Sequence, residues 1–366
     1  MGSLRFVLVG GFLGAGKTTA MARLARRYRD KGLKVGLVTN DQAEDLVDTK
    51  SLQAQGFPVE EVAGACFCCK FDDLIEKVDR LGNNRPDVII AEPVGSCTDL
   101  IATVVQPLRD IYRERFQVAP YGVLFKPAHG LRILRNEADS GFSPKAAYIF
   151  KKQMEEADLI LLNRIDELSP ADRKSITELM QKNFPGTPVL PVSAKTGEGF
   201  DAYAAFLEQD GAFGRKILDI DYDIYAEGEA ELGWLNGSVH VEAAKPLALD
   251  KLIVDIVKQL RAAFSKLGAE VAHLKAIGLG PTSFGVANLV SSGSKVELSL
   301  PSNQNVTTFD VIVNARAAGD PKELEEQVRA TVAEVCKAHG CKPDFKTMQS
   351  FRPGRPMPTH RYAMAK

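Results

Sequence analysis

Apolar residues in the first 200 positions gather into short unbroken runs, and each run stops at a glycine, an asparagine or a carboxylate. Such runs, without polar alternation, predict strands buried on both faces, as in a parallel sheet covered by helices. They are RFVLVGG (5–11), LKVGLVTND (33–41), RPDVIIAEPVGS (85–96), ADLILLNRIDEL (157–168) and PVLPVSAKTGEG (188–199). Between the first two, Met21, Leu24, Ala25 and Tyr28 recur at helical spacing. The last third of the chain changes character. Strand-like segments (234–243, 271–280, 283–292, 295–300, 307–317, 344–351) surround two amphipathic helices (247–268 and 320–340). Strand, helix, several strands, helix, strand predicts an α+β sheet with helices on one face. An acidic, glycine-containing stretch (211–233) separates the two patterns. The expected division is therefore an α/β domain over 1–212, a linker over 213–232 and an α+β domain with an extended tail over 233–366.

Composition sharpens this picture only where it excludes something. The 366 residues are 45% hydrophobic and 25% charged, with net charge -1, so no overall basic field points to nucleic acid or an anionic membrane. No apolar run approaches the roughly 18 residues of a membrane span. The glycine-broken N-terminal run passes straight into a basic helical pattern without a cleavage site, unlike a signal peptide. Six cysteines in such a chain read as reduced thiols or ligands, and the expected compartment is the cytoplasm.

The first strand–helix junction carries chemistry. GFLGAGKT, Gly11 to Thr18, satisfies G-x-x-x-x-G-K-[ST] between a strand and a helix, the setting that makes it a phosphate-binding loop. Gly11, Gly14 and Gly16 let backbone N–H groups curl around an anion at a helix N-terminus. Lys17 is then expected on the β- and γ-phosphates and Thr18 on Mg²⁺. NRID, Asn163 to Asp166, ends a buried strand and is close to the N-K-x-D element of GTPases. There an Asp carboxylate meets the N1–H and 2-amino donors of guanine, which adenine lacks. Asp166 takes that role, Asn163 supports the loop, and Arg164 stands in place of lysine. Ser193-Ala194-Lys195, 30 residues on, is the expected second guanine loop, with a backbone N–H for O6. Asp41 and Glu92 end two parallel strands where α/β sheets bind ligands, which suits Mg²⁺ and water placement. Gly95, three residues after Glu92, is the expected γ-phosphate sensor.

GACFCC, Gly64 to Cys69, holds three of the six cysteines in four positions and closes no loop. Three thiolates suit a soft or borderline metal such as Zn²⁺ or Co²⁺ but leave a tetrahedral site open. Redox chemistry and plain packing are the other readings.

With these motifs the chain resembles the CobW/HypB/UreG GTPases, most closely their CobW-like branch, over residues 4 to about 210. GFLGAGKTT (Gly11, Gly14, Ala15, Gly16, Lys17, Thr18, Thr19) matches that branch's Walker A. NDQAEDLVD (40–48) keeps Asn40, Asp41, Glu44 and Asp48 of its first switch. CFCC matches its C-x-C-C, and Glu92-Pro-Val-Gly95 its second switch. Gln42 and Ala43, Pro93 and Val94, and Arg164 depart from the pattern, which bears on switch timing and hydrolysis rate. The resemblance implies a SIMIBI-type P-loop domain with a small C-terminal domain, and a slow GTPase cycling GTP and GDP. It implies a metallochaperone or cofactor-insertion role, delivering zinc, cobalt or a corrinoid to a client protein, with nucleotide-dependent self-association possible. A nucleotide-gated adaptor for a corrinoid methyltransferase system is the alternative. Cys66, Cys68 and Cys69 would hold the transferred metal, with Glu44 of the first switch or Cys97 just past the second as rival further ligands. Cys336, His339 and Cys341 lie within six positions, but a helix end with a C′ Gly340 accounts for them better. The tail, with Arg352, Arg355 and Arg361, is read as extended, and solvated or docked.

Overall fold

The computed structural model describes residues 4–43, 46–82, 86–135 and 143–366. It divides into two compact units. One comprises Met1–Gln42, Gly56–Gly228 and Arg355–Lys366, and the other Ala43–Gln55 and Glu229–Gly354.

Elements of the first unit, with α2 of the second threaded between them, run in order β1 (Leu4–Gly11), α1 (Lys17–Asp30), β2 (Val35–Asn40), α2 (Val47–Ala54), β3 (Val59–Val62), α3 (Phe71–Leu81), β4 (Val88–Glu92), α4 (Gln106–Asp110), β5 (Phe116–Val118), β6 (Gly122–Phe125), α5 (Pro127–Leu134), α6 (Pro144–Glu156), β7 (Leu159–Leu162), α7 (Pro170–Asn183), β8 (Val189–Pro191), α8 (Phe200–Leu207) and α9 (Tyr222–Ala230). Strand order is β3-β2-β4-β1-β6-β7-β8, with β5 paired to β1. Every pairing among the described strands of this sheet is parallel. The apolar runs are why: β2, β4, β6 and β7 are buried at every position, as strands covered on both faces must be. Helix α1 buries Met21, Leu24, Ala25 and Tyr28 on one face. Parallel strands share one carboxyl edge, so the loops after β1, β2, β4 and β7 gather there.

The second unit continues with β9 (Leu232–Ala248), α10 (Leu249–Lys266), β10 (Val271–Leu279), β11 (Phe284–Leu289), β12 (Glu297–Leu300), β13 (Asn305–Ala318), α11 (Pro321–Ala338) and β14 (Cys341–Phe351). Its antiparallel sheet runs β12-β11-β10-β13-β9-β14. Leu252, Ile256 and Leu260 of α10 and Val328 and Val332 of α11 pack with Val311, Val313 and Ala315 of β13 in one core. Ile277, Val286 and Ile312 form a separate cluster with Val47 of α2.

The order of elements follows the sequence pattern, but the units do not divide serially. Residues 43–55 belong with the C-terminal sheet, and 355–366 with the parallel sheet. The stretch expected as a linker contains α9, because Tyr225 is fully buried in its unit and Tyr222 reaches Asp99. Among the described residues, no helix is long and apolar enough to cross a membrane.

Candidate functional site

The phosphate loop is a run of backbone that glycine alone adopts without strain. Gly11, Gly14 and Gly16 all have positive φ (137°, 69° and 96°). A Cβ on Gly16 would lie 2.6 Å from Asn163 Nδ2. Helix α1 starts at Lys17 with no side-chain cap and no acidic residue in its first turn, leaving its N-terminal amides and positive potential for an anion. Thr18 Oγ1 donates to Glu92 Oε1 (3.2 Å), and Lys17 Nζ is 3.9 Å from the same oxygen. Thr18, Glu92 and the buried Asp41 are hard oxygen donors, a set that fits Mg²⁺. A Cβ on Gly95 would come 3.0 Å from Lys17 Nζ, so the second switch lies against the phosphate loop. Ala15 is fully buried, and Thr19 follows on α1.

The two elements expected to bind guanine meet. Asn163 Nδ2 donates to the Ala15 carbonyl (2.7 Å) while its Oδ1 accepts from Ala194 N–H (2.9 Å), tying phosphate loop to base loop. Ser193 Oγ donates to Asp166 Oδ1 (2.7 Å), holding that carboxylate in place. Arg164 has φ 66° and turns its guanidinium onto Glu167, with Nε 3.0 Å from Oε2. Lys195 is near the surface, and its carbonyl, like that of Ala194, accepts from Arg23.

Cys66, Cys68 and Cys69 form one cluster, with sulfur separations of 2.9 Å (66–68), 3.4 Å (66–69) and 3.7 Å (68–69). Among the described residues they are the one group with metal-ligand proximity. Cys66 and Cys68 are buried and Cys69 is half-buried. Asn40, at the end of β2, holds their loop: its Nδ2 donates to Val62 and Ala65 carbonyls, and its Oδ1 accepts from Phe67 N–H. Cys97, buried just past the second switch, has its thiol near Cys66 and Cys68 but outside the close cluster of three. Hydrogen bonds from Cys68 first, then Cys69 and Cys97, hold the Cys66 thiol well below its usual range against the cost of burial. The Cys68 thiol, bonded to Cys66, is pushed well above it, and the same partner pushes Cys69 up to about 11. Three sulfurs this close together are a donor set that suits a thiophilic cation, which binds them as their protons leave. Glu44, the rival ligand, lies outside the described residues.

Several residues the sequence did not single out complete the site. Lys126, buried after β6, donates to the Leu13 carbonyl in the phosphate loop (3.0 Å). Gln153 of α6 donates to both Gly95 O (3.0 Å) and Cys97 O (2.8 Å), clamping the turn that carries them. Glu156, one turn on, accepts from Thr98 Oγ1 and Ile101 N–H. A helix marked Q…E is common enough that only the fold identifies these partners. Asp99 has φ 65°, is 1% exposed, and accepts from Tyr222 Oη and Arg361 Nε. Cys336, His339 and Cys341 do not assemble: His339 turns to Asp255, and Cys341 Sγ donates to the Cys336 carbonyl.

The family model "CobW/HypB/UreG, nucleotide-binding domain" matches residues 5–191. The zinc chaperone CobW of a Sinorhizobium species is 30% identical over an alignment of 222 residues that covers 54% of this chain and 60% of that protein. The zinc chaperone YeiR of Escherichia coli K12 is 27% identical over 185 residues, 48% of this chain and 51% of that one. The chain thus spans only about half to three-fifths of these relatives. The solved Zn(II)-bound YjiA GTPase from E. coli covers 92% of this chain and 99% of its own, at 17% identity and a TM-score of 0.38.

Proposed function

The chain belongs to the CobW/HypB/UreG family of nucleotide-binding proteins, and from that premise we propose that it is a GTPase that loads and releases a thiophilic divalent metal. Zinc is the first choice, with cobalt as the alternative, and the recipient is a client metalloprotein. The reading is supported most by one observation: three clustered thiols lie near a fourth, Cys97, on the turn that follows the expected γ-phosphate-sensing Gly95.

Backbone amides of Gly11–Lys17 and the Lys17 ammonium hold the nucleotide phosphates. Asp166 and the 193–195 loop select guanine. Thr18, Asp41 and Glu92 would hold Mg²⁺, which would neutralise charge on the phosphates, and Glu92 would order the attacking water. No arginine occurs in either switch segment (40–48 and 92–97), so intrinsic turnover is slow. Metal coupling follows from the covalent chain. Gly95 and Cys97 are two residues apart, and Gln153 grips both carbonyls, so a shift of Gly95 on loss of the γ-phosphate moves Cys97 with it. With four thiolates the metal is retained; withdrawing Cys97 leaves three and favours transfer.

The test is Co²⁺ and Zn²⁺ binding by anaerobically reduced protein, loaded with a non-hydrolysable GTP analogue or with GDP. The Co²⁺ spectrum should indicate four sulfur ligands with the analogue and fewer with GDP, and Cys97→Ser should weaken only the GTP-state complex. Equal affinities for wild type and Cys97→Ser in both states exclude Cys97 as a ligand.

A further inference from the structure

We propose that the C-terminal segment Arg355–Lys366 is a positioning element of the thiol site, tying its half-exposed Cys69 to the second switch. The proposal rests on the thiols being the metal site, and it concerns residues outside the nucleotide-binding motifs.

The segment is extended and makes two sets of contacts within its unit. The first is to the cysteines. Met357 N–H donates to Cys69 Sγ (3.1 Å), Thr359 N–H to the Cys68 carbonyl (2.8 Å), and Thr359 Oγ1 to the Cys69 carbonyl (3.2 Å). His360 stacks edge-on against Phe71, the first residue of α3 after the cysteine loop (5.2 Å, 87°). The second set is to the chain just beyond Cys97. Arg361 Nε donates to Asp99 Oδ2 (2.7 Å), Tyr362 N–H to the Ala102 carbonyl (3.1 Å), and Lys366 N–H to Gln106 Oε1 (2.7 Å).

Each set has a physical consequence. The Met357 N–H is aimed directly at Cys69 Sγ, so it fixes where that sulfur points. Hydrogen bonds to ligating atoms also fix ligand orientation, and their loss typically weakens metal binding 10–100-fold. Asp99 is buried, so its carboxylate is costly without a cationic partner, and Arg361 supplies one. Only one residue separates Arg361 from Thr359 and one separates Asp99 from Cys97. A movement of the 95–99 turn must therefore carry Arg361, and with it the tail that holds Cys68 and Cys69, or break this pair and loosen the tail. The tail gives the second switch a second hold on the metal, separate from Cys97.

The experiment uses point variants of the full chain. Met357→Pro removes the N–H donor in a run already flanked by prolines; Met357→Ala keeps it, and the side chain is 77% exposed. Zinc affinity, measured by competition with a chromophoric chelator, should fall about tenfold in Met357→Pro and stay unchanged in Met357→Ala. Equal affinities in the two variants overturn the hydrogen-bond role. Separately, metal-free protein is treated with iodoacetamide and labelling of Cys69 followed by peptide mass spectrometry. Arg361→Gln should speed labelling severalfold and abolish any difference between GTP-analogue and GDP states, while Arg361→Lys, which keeps the charge on Asp99, restores wild-type behaviour. Unchanged labelling in Arg361→Gln overturns the link to the switch. If wild-type protein binds no metal at these thiols, the proposed function fails, and the labelling result alone decides whether the tail is held through Asp99.

Discussion

In the proposed function, Asp166 is the residue on which the choice of base turns. Its carboxylate is pinned by Ser193 Oγ at 2.7 Å, and Asn163 brings that loop to the phosphate loop. Adenine offers no donor pair to it, so the carboxylate would be left poorly paired. Titration with Mg²⁺ nucleotides should show at least a roughly tenfold preference for GTP, which Asp166→Ala erases; equal affinities of the wild type would refute the guanine reading. Ser193→Ala should cost less, about fivefold in GTP affinity, as expected for one hydrogen bond that only orients the carboxylate. Glu92 accepts from Thr18 and sits beside Lys17. Glu92→Gln should lower turnover while leaving GTP binding largely intact, as read by single-turnover hydrolysis beside fluorescent-nucleotide binding. Abolished binding would instead make Glu92 a structural residue. All of these residues were named from the sequence, because each motif is local, a few residues at one strand end; what joins the motifs is the hydrogen bonds among them.

Helix α6 shows what an element adds. Gln153 and Glu156 lie one turn apart, and both face the second-switch chain. The Q…EADLILLNRID stretch fits the family's helix and strand before the guanine motif, but nothing in it says what Gln153 and Glu156 bond, since their partners lie more than 50 residues away. Glu156 is fully buried, and burial raises its pKa to about 8 in spite of hydrogen bonds from Ile101 and Thr98. The folded protein therefore holds this proton more tightly than the unfolded chain does. Its favourable contribution is complete below the ordinary glutamate range and is lost as pH rises through about 8. Glu156→Gln mimics the neutral form at every pH. In urea unfolding, the stability of Glu156→Gln relative to wild type should increase from about pH 5 to about pH 8. A difference independent of pH would show that Glu156 is charged in the fold already. Helix α9 teaches the same lesson from the other side: an acidic stretch that reads as linker is ordered because Tyr222 and Tyr225 find partners on the second-switch chain.

At the scale of the whole molecule the chain is two compact units whose memberships interleave. Residues 43–55 leave the first unit directly after Gln42, and the chain returns to it at Gly56. Within the second unit their helix is fixed by Val47 N–H donating to Asn314 Oδ1 (2.6 Å) and by the Lys275–Asp48 ion pair. Asn314→Leu leaves a buried amide unsatisfied and should cost about 1–3 kcal/mol in the unfolding of that unit. The thiols and the phosphate loop belong to the other unit. In calorimetry, zinc or GTP at about a hundred times its dissociation constant should therefore stabilise the first unit by about 2.7 kcal/mol. Asn314→Leu should lower the transition of the second. A single transition that zinc and Asn314→Leu shift in common would mean that the units unfold as one.

The sequence by itself determined whatever depends on neighbours along the chain. Unalternating apolar runs called for a parallel sheet, glycines for the phosphate loop, and NRID with SAK for a guanine site. The clustered cysteines pointed to a thiol centre, because four consecutive positions cannot avoid one another. The tertiary structure alone decided what joins these pieces. It brings Cys97 to Cys66 and Cys68, sets Asn40 against the cysteine loop, and lays Met357 and Arg361 beside Cys69 and Asp99. Met357 and Cys69 are 288 positions apart. No local pattern encodes such a pairing, since it follows from where packing of the whole core leaves each loop and tail.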